Sequence, residues 1–253
     1  MRKFLLASAV LFLICAGRVA AEDEVQAILE KAAKAHGGKD KLAKLKNAAV
    51  QAKSKGTIDM FGGIKVEIEA LAQGGRFKQI IQTEVGGMNI NQTLAYDGKE
   101  FWAEINGKVF TLKDLGLDEK KLKEAIEEQL YSERVVGLMF LGEKGIELSP
   151  LGEIKVNDKP AVGLRVSSKG HKDINLYFDK DKGLLVKTEM RATDVLGGQE
   201  TAEEKILSDY KEMDGLPRPT KVAVLRDGKK LMDLEVTEVK ILDKLEDSTF
   251  AKP

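Results

Sequence analysis

The 253-residue chain holds one cysteine and two histidines, and that scarcity removes whole classes of chemistry. A structural zinc site takes four Cys or His ligands, and a catalytic one takes three protein ligands, so no metal site is expected. Cys15 sits inside the first apolar run, which leaves the remainder with no thiol and no disulfide. A charge of one sign is missing as well: 41 Lys+Arg face 41 Asp+Glu, which argues against a dedicated nucleic-acid surface. No Pro/Gly/Ser-rich linker, low-complexity tract or exact repeat interrupts the chain. The G-x-G-x-x-G, Walker A, H-E-x-x-H and G-x-S-x-G strings are all absent, and Gly37-Gly38-Lys39 lacks the preceding strand and spacing of a phosphate loop. Acidic residues are plentiful, yet the sequence singles out no pair for acid/base work. The expectation is a protein that is not an enzyme, with no catalytic residues and no cofactor.

What is present is a core-forming composition, 43% hydrophobic and 32% charged, which excludes disorder. Arg2 and Lys3 make a positive n-region, Phe4 to Ala16 an apolar h-region, and Val19-Ala20-Ala21 a small-residue site before Glu22-Asp23-Glu24. That pattern predicts a signal peptide over 1–21, cleaved after Ala21. A lipid anchor on Cys15 would need a small residue before it, and Ile14 is not one. Removing 1–21 takes away Arg2, Lys3 and Arg18 and no acid, leaving a net charge of −3. No later stretch approaches 18 apolar residues; Val135 to Leu141 is too short to span a bilayer. The expected location is periplasmic, as a soluble monomer with no nucleic-acid partner.

Val25, Ile28, Leu29, Ala32 and Ala33 repeat at helical spacing until His36-Gly37-Gly38, and a short turn over Lys39 to Leu45 follows. From Ala48 the period changes to two: Ile64, Val66 and Ile68 alternate with charged residues, then Met88, Ile90, Gln92, Leu94 and Tyr96 with polar ones. Gly62-Gly63, Gly74-Gly75, Gly86-Gly87, Asp97-Gly98 and Asn106-Gly107 punctuate these runs as a chain of antiparallel hairpins. Helical period returns over 118–139, with Asp118 as N-cap and Leu122, Ile126, Leu130, Val135, Leu138 and Met139 on the apolar side. Strands resume at Ile146 and run to Leu242, with turns at Asn157-Asp158, 179–183, Gly197-Gly198, Asp214-Gly215 and Asp227-Gly228. The fold class is mainly β (α+β): a single large curved antiparallel sheet with helices covering one face.

His36 reads as a helix C-terminal residue interacting with the dipole, and His171 as a turn residue. Asp179-Lys180-Asp181-Lys182-Gly183 is no calcium loop, because position twelve would be Met190 rather than a bidentate Glu; it reads as a hairpin turn.

Four strings in order carry a resemblance: Ala95-Tyr96-Asp97-Gly98-Lys99-Glu100-Phe101-Trp102; Leu176-Tyr177-Phe178-Asp179 with Gly183-Leu184-Leu185-Val186-Lys187; Asp209-Tyr210 through Asp214-Gly215-Leu216-Pro217; and Asp247-Ser248-Thr249-Phe250. With the leader, helix, hairpins, inserted helix and further hairpins, the chain resembles the LolA-like superfamily of exported lipoprotein carriers and outer membrane lipoprotein-sorting proteins. The resemblance spans nearly all of 22–253. It implies an unclosed half-barrel, one domain, with a helical lid near 118–139 and an apolar concavity that shields a lipid or lipoprotein acyl chain, handed on to an envelope or outer-membrane receptor protein. The carriers' lid-closing arginine matches no single position; Arg76, Arg134, Arg165 and Arg191 are candidates.

Alternation places Ile64, Val66, Ile68, Phe77, Ile81, Met88, Ile90, Leu94 and Phe101 on one sheet face as an apolar lining, with Leu130, Leu138 and Met139 from the lid. Trp102 falls on the opposite face. Sequence period does not separate a cavity from a filled interior, so two readings stand: a carrier for acyl chains, or an envelope protein-interaction or sensing module on the same scaffold with a filled core.

Overall fold

The computed structural model describes residues 22–59, 62–193 and 200–253; the expected leader with its cleavage after Ala21, Cys15 and the Gly197-Gly198 turn lie outside them. Helix α1 covers 22–35 and α2 covers Lys39–Leu45. Six strands follow: β1 (Ala49–Ile58), β2 (Ile64–Gln73), β3 (Arg76–Val85), β4 (Met88–Tyr96), β5 (Phe101–Ile105) and β6 (Lys108–Phe110). Helix α3 (Glu119–Val136) intervenes. The second run is β7 (Ile146–Val156), β8 (Lys159–Ser168), β9 (Ile174–Asp179), β10 (Leu185–Thr193), β11 (Glu200–Met213), β12 (Leu216–Arg226) and β13 (Lys229–Leu242).

All thirteen strands form one antiparallel sheet in the order β6-β5-β4-β3-β2-β1-β13-β12-β11-β10-β9-β8-β7. Two meanders are thus joined where the first strand pairs with the last, and β6 and β7 are left as free edges, so the half-barrel does not close. Tight turns set each register. At the β7–β8 turn Asn157 and Asp158 both take positive φ, the pairing that a two-residue hairpin needs to match strand twist. The β1–β13 junction needs a different device. A Cβ on Gly56 would stand 1.9 Å from the Asp233 carbonyl oxygen, so only a residue without one lets these two strands approach as they do.

The three helices seal half of one face. Val25, Leu29, Ala32 and Ala33 of α1, Leu42 and Leu45 of α2, and Tyr131 and Val135 of α3 share one buried cluster with Leu164, Val166, Ile174, Leu176 and Phe178 of β8 and β9. Helix α3 starts as expected, with Asp118 accepting the Lys121 amide at 2.8 Å, and ends earlier than its apolar period does. Met139 N–H donates to Arg134 O and Leu138 N–H to Val135 O, a Schellman stop. Its left-handed residue is Leu138 (φ 57) rather than neighbouring Gly137; that strain is held because the Leu138 side chain is buried in the helix-covered cluster.

His36 ends α1 in a defined tautomer. Its Nε2 accepts the Leu185 amide at 3.3 Å, so Nδ1 carries the proton and donates to Ala32 O at 2.8 Å. Burial is the main cause that pushes its pKa below the ordinary histidine value; the bond to Ala32 opposes this, and the charge of Arg218 adds to it. The ring therefore serves the helix end as a neutral donor rather than as a cation. The unfolded chain takes up this proton first as pH falls, so the contribution is complete above about pH 6.5 and is lost as pH drops through the folded value. Melting temperature should fall between pH 7.5 and 5.5, by no more than the slope of one proton, about 1.4 kcal/mol per pH unit. His36→Gln should flatten that slope; an unchanged slope in the variant would assign the dependence to other groups.

Candidate functional site

The register carries one face from the sealed half of the sheet into the open half. Directly opposed residues of antiparallel strands point the same way, and one row runs Leu164, Leu176, Thr188, Lys205, Val224, Met232, Ile58, Ile64 across eight strands. Leu164 and Leu176 lie beneath the helices; Ile64 is therefore on that same, concave face. Parallel rows place Val66 with Thr83 and Ile90, Ile68 with Ile81, and Ala72 with Phe77, Tyr96 and Phe101. Leu94 and Met88 join through Gln79 and Val85. All nine strand residues expected to share a face do so.

Their exposure differs from that of the sealed half. Val66 is buried at 2%, but Ile64, Ile68, Phe77, Ile81, Ile90, Leu94 and Phe101 are only half-buried, and Met88 and Val85 at the β3–β4 turn are exposed at 67% and 38%. None of them belongs to the buried cluster under the helices, whereas Leu138 and Met139 both pack there. The twelve residues thus divide: nine on an apolar wall, two in the sealed core, and Leu130 between.

Topology puts α3 over the hollow. It connects edge strand β6 to edge strand β7, so it must cross the open side. Leu130 Cδ1 comes within 3.9 Å of where a Cβ on Gly75, in the β2–β3 turn, would stand. The next residues face the other wall: Tyr131 stacks on His171 with centroids 4.1 Å apart, and Ser132 Oγ donates to Met190 Sδ at 3.3 Å. Glu128 adds a contact to His171 Nδ1 at 2.9 Å and accepts the Lys172 amide at 3.3 Å. At the far end of α3, Glu143 bridges Arg134 and Lys46, tying α3 to the chain after α2. From its local pattern His171 reads only as a turn residue; its partners lie 40 residues or more away in the chain, and no local signal marks them.

Charged groups on the concave face gather on β11 and β12, while uncharged Gln79, Thr83 and Gln92 lie within the wall itself. Glu203, 9% exposed, meets Lys205 at 3.3 Å and Arg226 at 3.5 Å. The four arginines weighed as lid-closers are paired elsewhere: Arg76 with Asp247, Arg134 with Glu143, Arg165 with Asp173 and Arg191 with Glu200. A depression of about 410 Å³ at the α1–α2 elbow is lined by Glu30, Lys34, Lys39 and glycines with only Ala33 apolar, and suits no hydrocarbon. Among the described residues no cluster of three His, Cys, Asp or Glu could hold a metal, and no helix is long and apolar enough to cross a membrane.

The architecture matches known ones. A LolA superfamily protein from Nitrosomonas europaea superposes with a TM-score of 0.53 over 90% of this chain and 97% of its own, at 15% identity. A DUF1329 family protein from Desulfovibrio piger gives 0.51 over the same shares, at 13% identity. No family model matches the sequence, and no curated protein matches it. The chain has a LolA-like fold.

Proposed function

We propose that the protein is an exported, periplasmic carrier that shields the acyl chain of a lipid or lipoprotein in the hollow beneath α3. The observation that supports this is the unequal treatment of a single face: helices seal its β8–β10 half, while most side chains of the apolar β2–β5 half keep some exposed surface. An apolar wall of that extent, bordered by polar groups, is the property of a surface that binds something. The lining is Ile64, Val66, Ile68, Phe77, Ile81, Ile90, Leu94 and Phe101, with Met88 at the rim, and α3 is the lid, Leu130 meeting one wall and Leu138 with Met139 anchoring its end in the core. Removing about twelve methylenes from water is worth roughly 10 kcal/mol, of the same order as the cost of association. Release needs an acceptor that binds the lipid better, and no covalent step.

Protein purified without detergent should carry an amphiphile, seen by native mass spectrometry as added mass and identified after organic extraction. Protein that is consistently empty, and that also fails to bind a fluorescent acyl probe, would overturn the reading.

A further inference from the structure

The sheet is unzipped at one place inside its width. Strands β12 and β13 pair from Arg226–Lys229 up to Lys221–Glu235 and no further. Below that, Leu216 to Pro219 still pair with β11, and Val236 to Leu242 with β1, so two strands run on side by side without a ladder between them among the described residues. The sequence gives the reason. Pro217 and Pro219 have no N–H to donate, and a ladder stops where its donors are missing. One side-chain bond bridges the split, from the Ile241 amide to Asp214 Oδ2 at 2.5 Å.

Arg218 sits between those prolines. Alternation turns it to the same side as Leu216, which lies against Gly37 in the buried cluster. Its Nε is shielded from solvent with no hydrogen-bond partner. Arg76, Arg134, Arg165, Arg191 and Arg226 each form an ion pair; Arg218 forms none among the described residues. Its neighbours cannot supply the missing charge. Tyr210 donates its hydroxyl to Leu185 O at 2.6 Å, and burial pushes its pKa upward, so it stays a neutral phenol. The His36 ring has both nitrogens engaged. Lys211 lies opposite Arg218 in the ladder and Lys41 Nζ donates to Gly215 O at 3.0 Å, while the acids nearby are Glu212, opposite Pro217, and Asp214, whose carboxylate takes the Ile241 amide; neither pairs with Arg218. A guanidinium whose Nε is cut off from solvent and which has no counter-ion among the described residues is unfavourable in the empty protein.

We propose that Arg218 anchors the anionic head of the bound amphiphile, a carboxylate or a phosphate, with the acyl chain running from the β12–β13 split along the concave face. This rests on the carrier reading. A guanidinium presents paired donors matched to either anion, and beyond the split the concave row continues through Val236 and Val239 opposite Ser54 and Ala52. The local mark of Arg218 is the Pro-Arg-Pro string, a cation fixed inside a strand at a point where proline prevents pairing.

The test is displacement of a neutral pyrene-labelled acyl probe from the delipidated full chain by oleate, oleoyl lysophosphatidate and monoolein, which share a chain length. The wild type should bind the anions about tenfold or more tighter than monoolein, since a charge-assisted bond is worth roughly 1.5–3 kcal/mol; the order of the two anions tells carboxylate from phosphate. Arg218→Gln should abolish that preference with monoolein affinity unchanged, and Arg218→Lys should keep most of it. Without ligand, Arg218→Met should melt about 2–4 °C higher, as a site that trades stability for binding would. Equal affinity for monoolein and the anions, a preference that survives Arg218→Gln, or a lower melting temperature for Arg218→Met would each overturn the anchor and leave the carrier reading standing. Failure to bind any of the three, monoolein included, would overturn both.

Discussion

Replacing Ile68 and Ile81 together by asparagine should weaken acyl-chain binding about 5- to 30-fold and lower the melting temperature by less than Leu176→Ala does. The two residues are directly opposed across β2 and β3, in the middle of the apolar wall, and each is half-buried. Fully burying an isoleucine is worth about 1.5–3 kcal/mol. About two thirds or more of that is already gained in the folded protein, so roughly 0.5–1 kcal/mol per side chain is left for a ligand to realise, and two together give the expected loss. The smaller thermal effect follows because neither residue belongs to a buried cluster among the described residues. Leu176→Ala is the contrasting variant. It lies on the same face with no exposed surface, beneath the helices, and should lose about 2–5 kcal/mol of stability while leaving the ligand affinity of the folded fraction alone. The readouts are probe titration and thermal melting of both proteins. If the asparagine pair melts as low as Leu176→Ala, the wall is a core and not a binding surface; if it binds as tightly as wild type, the ligand lies elsewhere.

The contrast between Ile68 and Leu176 also marks where the sequence stops being legible. Alternation places each on the apolar side of its own strand, since period-two patterning is a property of each strand alone. Which of them a helix covers depends on how β1 pairs with β13 and where α3 crosses, and both are contacts between distant parts of the chain. The helix end shows the same limit: the apolar period runs on through Leu138 and Met139, while the chain turns out of helix at Gly137 because the core accepts Leu138 in a conformation that sequence rules reserve for glycine or asparagine. Arg218 carries a local sign in its two flanking prolines, but the reason for its role is not local. Its defining property is a missing partner, and only the folded arrangement shows that Tyr210 and His36 are committed elsewhere. Trp102 could be placed on the face away from Phe101 by alternation, but its partner is 148 residues away.

That partner supports the second large effect: Phe250→Ala should destabilise the protein by about 3–5 kcal/mol, a fall of roughly 6–20 °C in melting temperature. After β13 the chain turns back across the convex face. The Leu245 amide donates to Gln73 Oε1 at 2.9 Å, Arg76 pairs with Asp247 at 2.7 Å, and the buried Trp102 indole donates to Phe250 O at 2.9 Å. The Phe250 ring is fully buried against Ala49, Leu71, Leu242 and Leu245, with the Arg76 guanidinium 4.6 Å from its centroid. A segment from the C-terminus therefore fastens β1, β2, β3 and β5 from outside, and the ion pair contributes least because Asp247 is exposed. Strands held from the convex side leave the concave side free to stay uncovered: the curvature of the half-barrel does not depend on filling its hollow. Phe250→Ala should accordingly lower acyl affinity in the cold, where the protein is still folded, by letting the β1–β5 wall flatten, whereas alanine at the exposed Lys252 should change neither quantity. Melting curves and probe titrations at 10 °C on the two variants check both; a Phe250→Ala protein with wild-type melting would show that the tail rests on the sheet without bracing it.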